Sequence, residues 1–594
     1  MTERAFYLES SGESCFSLFR GGRSDRAAVL LLPLFGWEEL SSHRSLRTWA
    51  ERLSEHGHSV LRFDLPGTGD SARGPADGDR WEAWSHAAVA AARWLRVASG
   101  SPVVAAVGVG LGGLLAYEVV AQGCAEELIL WGSASRGKPL LRAMRAFSAL
   151  ETAQMVESGA PPPPPLPAGT LAPGGFLLSR ETVEAIDRYD ISGRPLPAHV
   201  RALVLDRDGV EIDGSLSDVL TAAGAQVTTA PGPGIAAMLV EPDQSRPPSA
   251  AFDLVQAWLD GGDRNVSGTV PSDEGMTPSE VLALGDFEER PLTVVRPFGE
   301  LAGVFAAPVN AEPAPFTVVF LNAGAIRRIG PHRIWVDAAR RWATLGIPSL
   351  RVDLQGIGDS DGDAELLADV ARFHDEDFVE DVHAVLDQLE SSGLGRRFVL
   401  LGLCSGAFWA FQAIVSDERV DAAVMVNPRV LYWDEQIEVA RDLRRARLLR
   451  HPVTWKRLAR GEVSWRRWRA FARWVIGYPA RSLRRFTSTH GPQSVEARIA
   501  RAYDVLRDRD QQLRFIFCDG EPLRDELTPN FLSQPSRWGN VSVTNLPGRD
   551  HTLRPLWMHE HVDAALDGAL RAQLAIASEG RQTSSSPDEL TGPS

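Results

Sequence analysis

The chain reads as an α/β protein: two tandem, mostly parallel, doubly wound sheets, each with a helical cap insert. Three observations predict this. Short apolar strand-like runs alternate with helical stretches along most of the length, the pattern of a parallel sheet covered by helices on both faces. A strand–turn–helix frame, Gly-x-Nu-x-Gly, occurs at Gly108–Gly112 and again at Gly402–Gly406. A segment Asp-x-x-Gly-x-Gly-Asp-Ser also occurs twice, at Asp64–Ser71 and Asp353–Ser360.

Bulk properties bound the reading. A chain of 594 residues is too long for one hydrophobic core. Its 44% hydrophobic and 23% charged residues are ordinary for a globular protein. A net charge of −15 argues against general nucleic-acid binding. The segment Met1-Thr2-Glu3-Arg4-Ala5-Phe6 lacks the basic-then-apolar pattern of a signal peptide, and no apolar run reaches bilayer length. Cys15, Cys124, Cys404 and Cys518 show no paired spacing, so neither disulfides nor a zinc site is expected. A cytoplasmic protein without metal, cofactor or membrane partner is the expectation.

The halves correspond in order. Each opens with an extended segment turning at Gly-Glu: Gly12-Glu13 and Gly299-Glu300. A buried-strand run follows, Ala28–Leu32 against Thr317–Leu321, then an arginine-bearing helix with Trp49-Ala50 or Trp342-Ala343. The Asp-Gly-Gly-Asp-Ser segment and the elbow come next. Gly261 to about Arg290 is rich in Gly, Ser, Asp and Glu and reads as the linker, placing a first domain at 1–262, a linker at 263–290 and a second domain at 291–577. Pro161–Pro165 predicts an extended crossing, and 578–594 a disordered polar tail.

In the elbow frame an apolar strand turns sharply into a helix and lifts the central side chain above the sheet. The central residue is Cys404 in the second half and Gly110, with no side chain, in the first. Cys404 is therefore the candidate nucleophile; the alternative is Ser405, with Cys404 a small buried residue.

The ordered motifs resemble the α/β-hydrolase superfamily over nearly all of both halves. The run Asn322-Ala323-Gly324-Ala325-Ile326-Arg327-Arg328 is similar to bacterial hydrolases of the serine-aminopeptidase-like type. The resemblance implies the order nucleophile, acid, histidine. His551, in the loop after the last core strand, matches the superfamily's base; the alternative is a loop histidine without a role. Glu521, before Pro522, matches the acid, with Asp519, Asp525 and Asp434 as alternatives. Oxyanion donors are expected at the Ser405 backbone N–H and in the Asn322-Ala323-Gly324 loop. Arg327, Arg328 and Arg333 either clamp a substrate carboxylate or phosphate or make structural ion pairs. In the first half Ile235 stands where the base belongs, and Asp206 and Asp208 have no histidine to orient.

A longer insert separates Cys404 from His551, rich in Arg and Trp between about 430 and 490, including Arg444-Arg445 and Trp465-Arg466-Arg467-Trp468. It reads as a cap, either binding an anionic group such as a CoA or phosphopantetheine tail or an acyl carrier protein, or presenting a solvated basic face. Cysteine at the elbow is found in this superfamily in polyester synthases, some thioesterases and dienelactone hydrolases. An acyl-Cys intermediate in hydrolysis or transfer of a thioester or ester acyl group is thus the leading expectation. A binding or scaffold protein of two retired hydrolase domains, and a peptidase-like amide hydrolase, are the rivals.

Overall fold

The computed structural model describes residues 3–10, 12–75, 77–157, 162–210, 212–261, 278–433, 495–528 and 537–584. It is an α/β structure with two nine-stranded sheets. The first half contributes β1 (Arg4–Ser10), β2 (Glu13–Arg20), β3 (Ala28–Leu32), β4 (Val60–Phe63), β5 (Val104–Val109), β6 (Glu127–Trp131), β7 (Arg201–Leu205) and β8 (Gln226–Ala230). The short strands β9 (Pro278–Ser279) and β10 (Leu282–Ala283) lead into β11 (Phe287–Arg296), β12 (Gly299–Pro308), β13 (Thr317–Phe320), β14 (Ser349–Val352), β15 (Phe398–Leu403), β16 (Val420–Val426), β17 (Gln512–Cys518) and β18 (Val541–Leu546).

The orders are β8-β7-β6-β5-β3-β4-β2-β1-β9 and β10-β11-β12-β14-β13-β15-β16-β17-β18. In each sheet six strands run parallel and three antiparallel ones close one edge. The strands closest to the centre, such as Val399-Leu400-Leu401, are buried on both faces because helices cover both, so they read as continuous apolar runs rather than alternating ones.

Two expectations need correction. The linker was expected to reach Arg290, but β9, β10 and the start of β11 lie inside it. Pro278 and Ser279 pair with Leu8 and Tyr7, so the chain entering the second half completes the edge of the first sheet. Disorder was expected from Ser578, but the last helix, Leu556–Ser584, runs on past it, anchored by buried Val562, Leu566 and Leu570.

The two halves meet through the repeated Asp-Gly-Gly-Asp-Ser segments. Within each loop the first Asp caps the turn: Asp64 accepts the Asp70 N–H at 2.8 Å, and Asp353 the Asp359 N–H at 3.1 Å. Gly69 (φ 50°) and Gly358 (φ 54°) sit over those carboxylates, where a Cβ would collide with them. The second Asp then crosses the seam. Arg62 reaches Asp359 at 3.1 Å, and its counterpart Arg351 reaches Asp70 at 3.1 Å. Arg47 donates to the Ser360 carbonyl, and its counterpart Arg340 to the Ser71 carbonyl. The contacts are reciprocal, as across a two-fold axis.

Arg327 and Arg328 lie at the centre of this seam, which corrects the expectation that they clamp substrate. Arg328 is 1% exposed and bonds Asp70 (3.0 Å), Asp353 (2.8 Å) and Asp359 (2.9 Å). Arg327, 2% exposed, bonds Asp64 (2.9 Å) and Glu39 (3.1 Å). Arg333 donates to the carbonyls of Gly69, Ser71 and Arg73. Burial alone would push the Asp70 carboxyl up, but Arg328 and Arg351 hold it down at about 2.

Because its folded-state value is depressed, Asp70 contributes stability that is present above its unfolded value of about 4 and is lost as pH falls toward about 2. Arg351→Met removes one of the two arginines that hold each of Asp70 and Glu289, leaving Asp70 to Arg328 and Glu289 to Arg340, and should cost about 3 kcal/mol, read as a lowered midpoint of urea unfolding.

Candidate active site

β15 ends in the second elbow. Cys404 has φ 59° and ψ −109°, a strained conformation for a residue with a side chain, and directly precedes the helix Ser405–Ser416. The turn tolerates no side chain at its flanks: a Cβ on Gly402 would strike the backbone of Gly406, and one on Gly406 the carbonyl of Asn322. The Cys404 N–H bonds the Val426 carbonyl at 3.0 Å, so the elbow hangs from the neighbouring strand.

The structure brings Cys404, His551 and Glu521 together. His551 Nδ1 lies 2.8 Å from Glu521 Oε1, and the Glu521 carboxylate is 7% exposed. Burial pushes the Cys404 thiol up, but the charge and hydrogen bond of His551, with the nearby Arg429 cation, bring it below the ordinary thiol value. Burial lowers His551; the Cys404 and Glu521 partners outweigh it and raise the imidazole to about 9. The pair favours thiolate and imidazolium. Asp519 and Asp525 point into solvent, Asp519 with 56% of its side chain exposed near Arg524, so neither reaches the histidine. Asp434 lies outside the described residues, as does the cap segment from 434 to 490.

The expected oxyanion donors divide. The Ser405 N–H is directed at the Cys404 sulfur. The Gly324 N–H donates to Ser405 Oγ at 2.9 Å, so it is committed to that hydroxyl in this state. Ala323 is buried and bridges to Ile326. Ser405 itself is 5% exposed and its hydroxyl serves as an acceptor for the loop.

Two residues of the site were not anticipated. Asn427, held at φ 44°, accepts the Cys518 N–H at 2.8 Å and donates to the His551 carbonyl at 2.9 Å, tying the histidine loop to the end of β17. Arg429 Nε lies 3.2 Å from His551 Nε2, a hydrogen bond that only the neutral histidine can accept. The signal was Asn427-Pro428-Arg429 directly after β16: an Asn-Pro break marks a strand's carboxyl end, where sites of parallel sheets gather.

The corresponding place in the first half has been rebuilt. Gly110 keeps the elbow backbone, with φ 56° and its N–H on the Trp131 carbonyl at 3.0 Å. A Cβ there would face Glu38 Oε2 and Leu34 Cδ2, each at 3.6 Å. Asp206 accepts the N–H groups of Gly209 and Gly232, each at 2.9 Å, and Asp208 that of Ala236 at 2.7 Å. The former acid loop now caps the backbone, and Ile235 is packed in the core at 1% exposure.

Fold and site geometry thus define two α/β-hydrolase-type halves, the second of which places a cysteine, a histidine and a glutamate together at its elbow. Comparison with known proteins agrees at that level. Residues 29–129 match the family model described as alpha/beta hydrolase fold, and residues 315–483 that of serine aminopeptidase, S33. Solved structures similar to it include a lidless α/β serine hydrolase from Xanthomonas campestris (16% identity, TM-score 0.28), covering 48% of this chain and 94% of that one. A dienelactone hydrolase from Anabaena variabilis (13% identity, TM-score 0.29) covers 47% of this chain and 95% of that one. A putative dienelactone hydrolase from Klebsiella pneumoniae (15%, TM-score 0.31) covers 50% and 99%. No curated protein matches the chain. Among the described residues no helix is long and apolar enough to cross a membrane.

Glu521→Gln removes the negative charge behind His551 Nδ1. The imidazole should drop from about 9 and the Cys404 thiol should rise. The pH midpoint for alkylation by iodoacetamide should then move up, toward the ordinary thiol value of about 8.5.

Proposed function

We propose that the second half is a cysteine-dependent enzyme that hydrolyses or transfers an acyl group from a thioester or ester. The observation that carries this reading is Cys404 on a strained elbow, paired with His551, which Glu521 holds at 2.8 Å. In the first step the Cys404 sulfur bonds the acyl carbon, the bond to the leaving thiol or alcohol breaks, and the imidazolium gives that group its proton. In the second, His551 takes a proton from water, an amine or a thiol, which attacks the acyl-Cys404 thioester and expels the thiolate. The Ser405 N–H, next to the Cys404 sulfur, is the donor assigned to the oxyanion. CoA or an acyl carrier protein is the donor class that the basic composition of the cap segment suits.

Two other readings each rest on one observation. The match of residues 315–483 to the serine aminopeptidase model favours an amide substrate. The bond from Arg429 to His551 Nε2 occupies the nitrogen that a base must use, which favours a retired, binding-only half.

Intact-mass measurement with activated thioesters, esters and peptide amides separates the three. Acyl transfer predicts an adduct with thioesters that is lost in Cys404→Ala. An adduct that survives this substitution would sink the assignment. Iodoacetamide should modify Cys404 at neutral pH about tenfold faster than in His551→Ala; equal rates point to the binding-only half.

A further inference from the structure

The first half does not stand apart from the site. Its helix Gly137–Glu157 lies against the loop that carries His551: Glu151 sits 3.6 Å from Arg554 and accepts the Gly174 N–H at 2.9 Å. Arg554 in turn bonds Asp550, the residue before His551. Phe147 and Phe176 of the first half pack on the same apolar cluster as Cys404.

Two cavities open along this seam. One, of about 230 Å³, is bounded by His551 together with Met155, Pro163 and Trp557. The other, of about 250 Å³, is lined by the same Met155, Pro163 and Trp557 and extends to Leu166 and Ala172. The two share Met155, Pro163, Pro555 and Trp557 together with the charged Glu151, Asp550 and Arg554, and so form one path from the histidine past that charged trio into a mostly apolar crevice between the halves. Its outer wall is Pro163, Pro164, Pro165 and Pro167 with Leu166 among them, and the prolines present no backbone N–H donor to an occupant. Leu166 stands 39% exposed there.

We propose that this crevice binds the apolar acyl portion of an ester or thioester substrate, so that the first half, emptied of its own chemistry, forms the specificity wall of the second. The proposal rests on the acyl-Cys404 reading for its chemistry but not for its binding. Glu151, Asp550 and Arg554 line both cavities and pair with one another, and the wall beyond them, through Pro163, Leu166 and Ala172, is apolar, which favours an apolar chain there. An apolar chain gains by leaving water for Met155, Leu166 and Trp557, and the gain grows with each methylene.

The test uses the full chain with acetyl and octanoyl thioesters of N-acetylcysteamine. Met155→Trp and Leu166→Trp fill the crevice from opposite walls and should lower the octanoyl-to-acetyl ratio of kcat/KM about tenfold, the equivalent of burying about two fewer methylenes. Leu150→Trp, on the same helix but outside the crevice, should leave the ratio unchanged. Binding of octanoate to the Cys404→Ala chain, measured by calorimetry, separates the two readings: it should persist there and be lost on adding Met155→Trp. If no adduct forms with either thioester yet octanoate binds in this way, the chemistry fails and the crevice stands. An unchanged ratio in both filling variants, or no octanoate binding, overturns the proposal.

Discussion

A guanidinium shut away from water must have carboxylates on several sides, and in this chain those carboxylates come from both halves. Arg328 joins Asp70 of one half to Asp353 and Asp359 of its own. Asp353 also caps the turn of its own loop, so turn and seam share that carboxylate. Desolvating such a group is costly, and only near-complete pairing offsets it. The halves are consequently committed to one relative placement, and the crevice beside His551 inherits its shape from that placement.

The same strand–turn–helix backbone has been put to two uses. In the second half it lifts a thiol toward a charged imidazole, with Asn427 bracing the histidine loop from below. In the first, an unburdened Gly110 keeps the turn while Asp206 and Asp208 spend their oxygens on backbone N–H groups. Gly110 holds the turn without strain, because glycine is the residue the turn tolerates most easily. Ile235, aligned with His551, is packed in the core.

Much of this was legible in the residues. Continuous apolar runs such as Val399-Leu400-Leu401 declare a doubly covered parallel strand, and the Gly spacing around Cys404 declares the elbow, because both are local constraints of sterics and burial. Glu521 and His551 could be aligned by order, although their approach to 2.8 Å depends on tertiary packing. The arginines misled for a physical reason. Arg327 and Arg328 follow the oxyanion loop in sequence, where a substrate clamp would stand, but their partners lie about 260 residues upstream in Asp64 and Asp70, a pairing no local pattern encodes. The strands inside the expected linker escaped notice because β9 and β10 are too short to carry an alternation.

The reciprocity of Arg62–Asp359 and Arg351–Asp70 carries an implication for descent. In a two-fold dimer of identical chains, every substitution enters both sites at once, so neither can be abandoned without the other. Joining the copies in one chain lifts that restriction while the contact surface stays self-complementary. The seam in this chain has the form of such a dimer contact, fused. Symmetry was retained where two surfaces must still recognise each other and was broken at Gly110 and Cys404, where it no longer constrained anything.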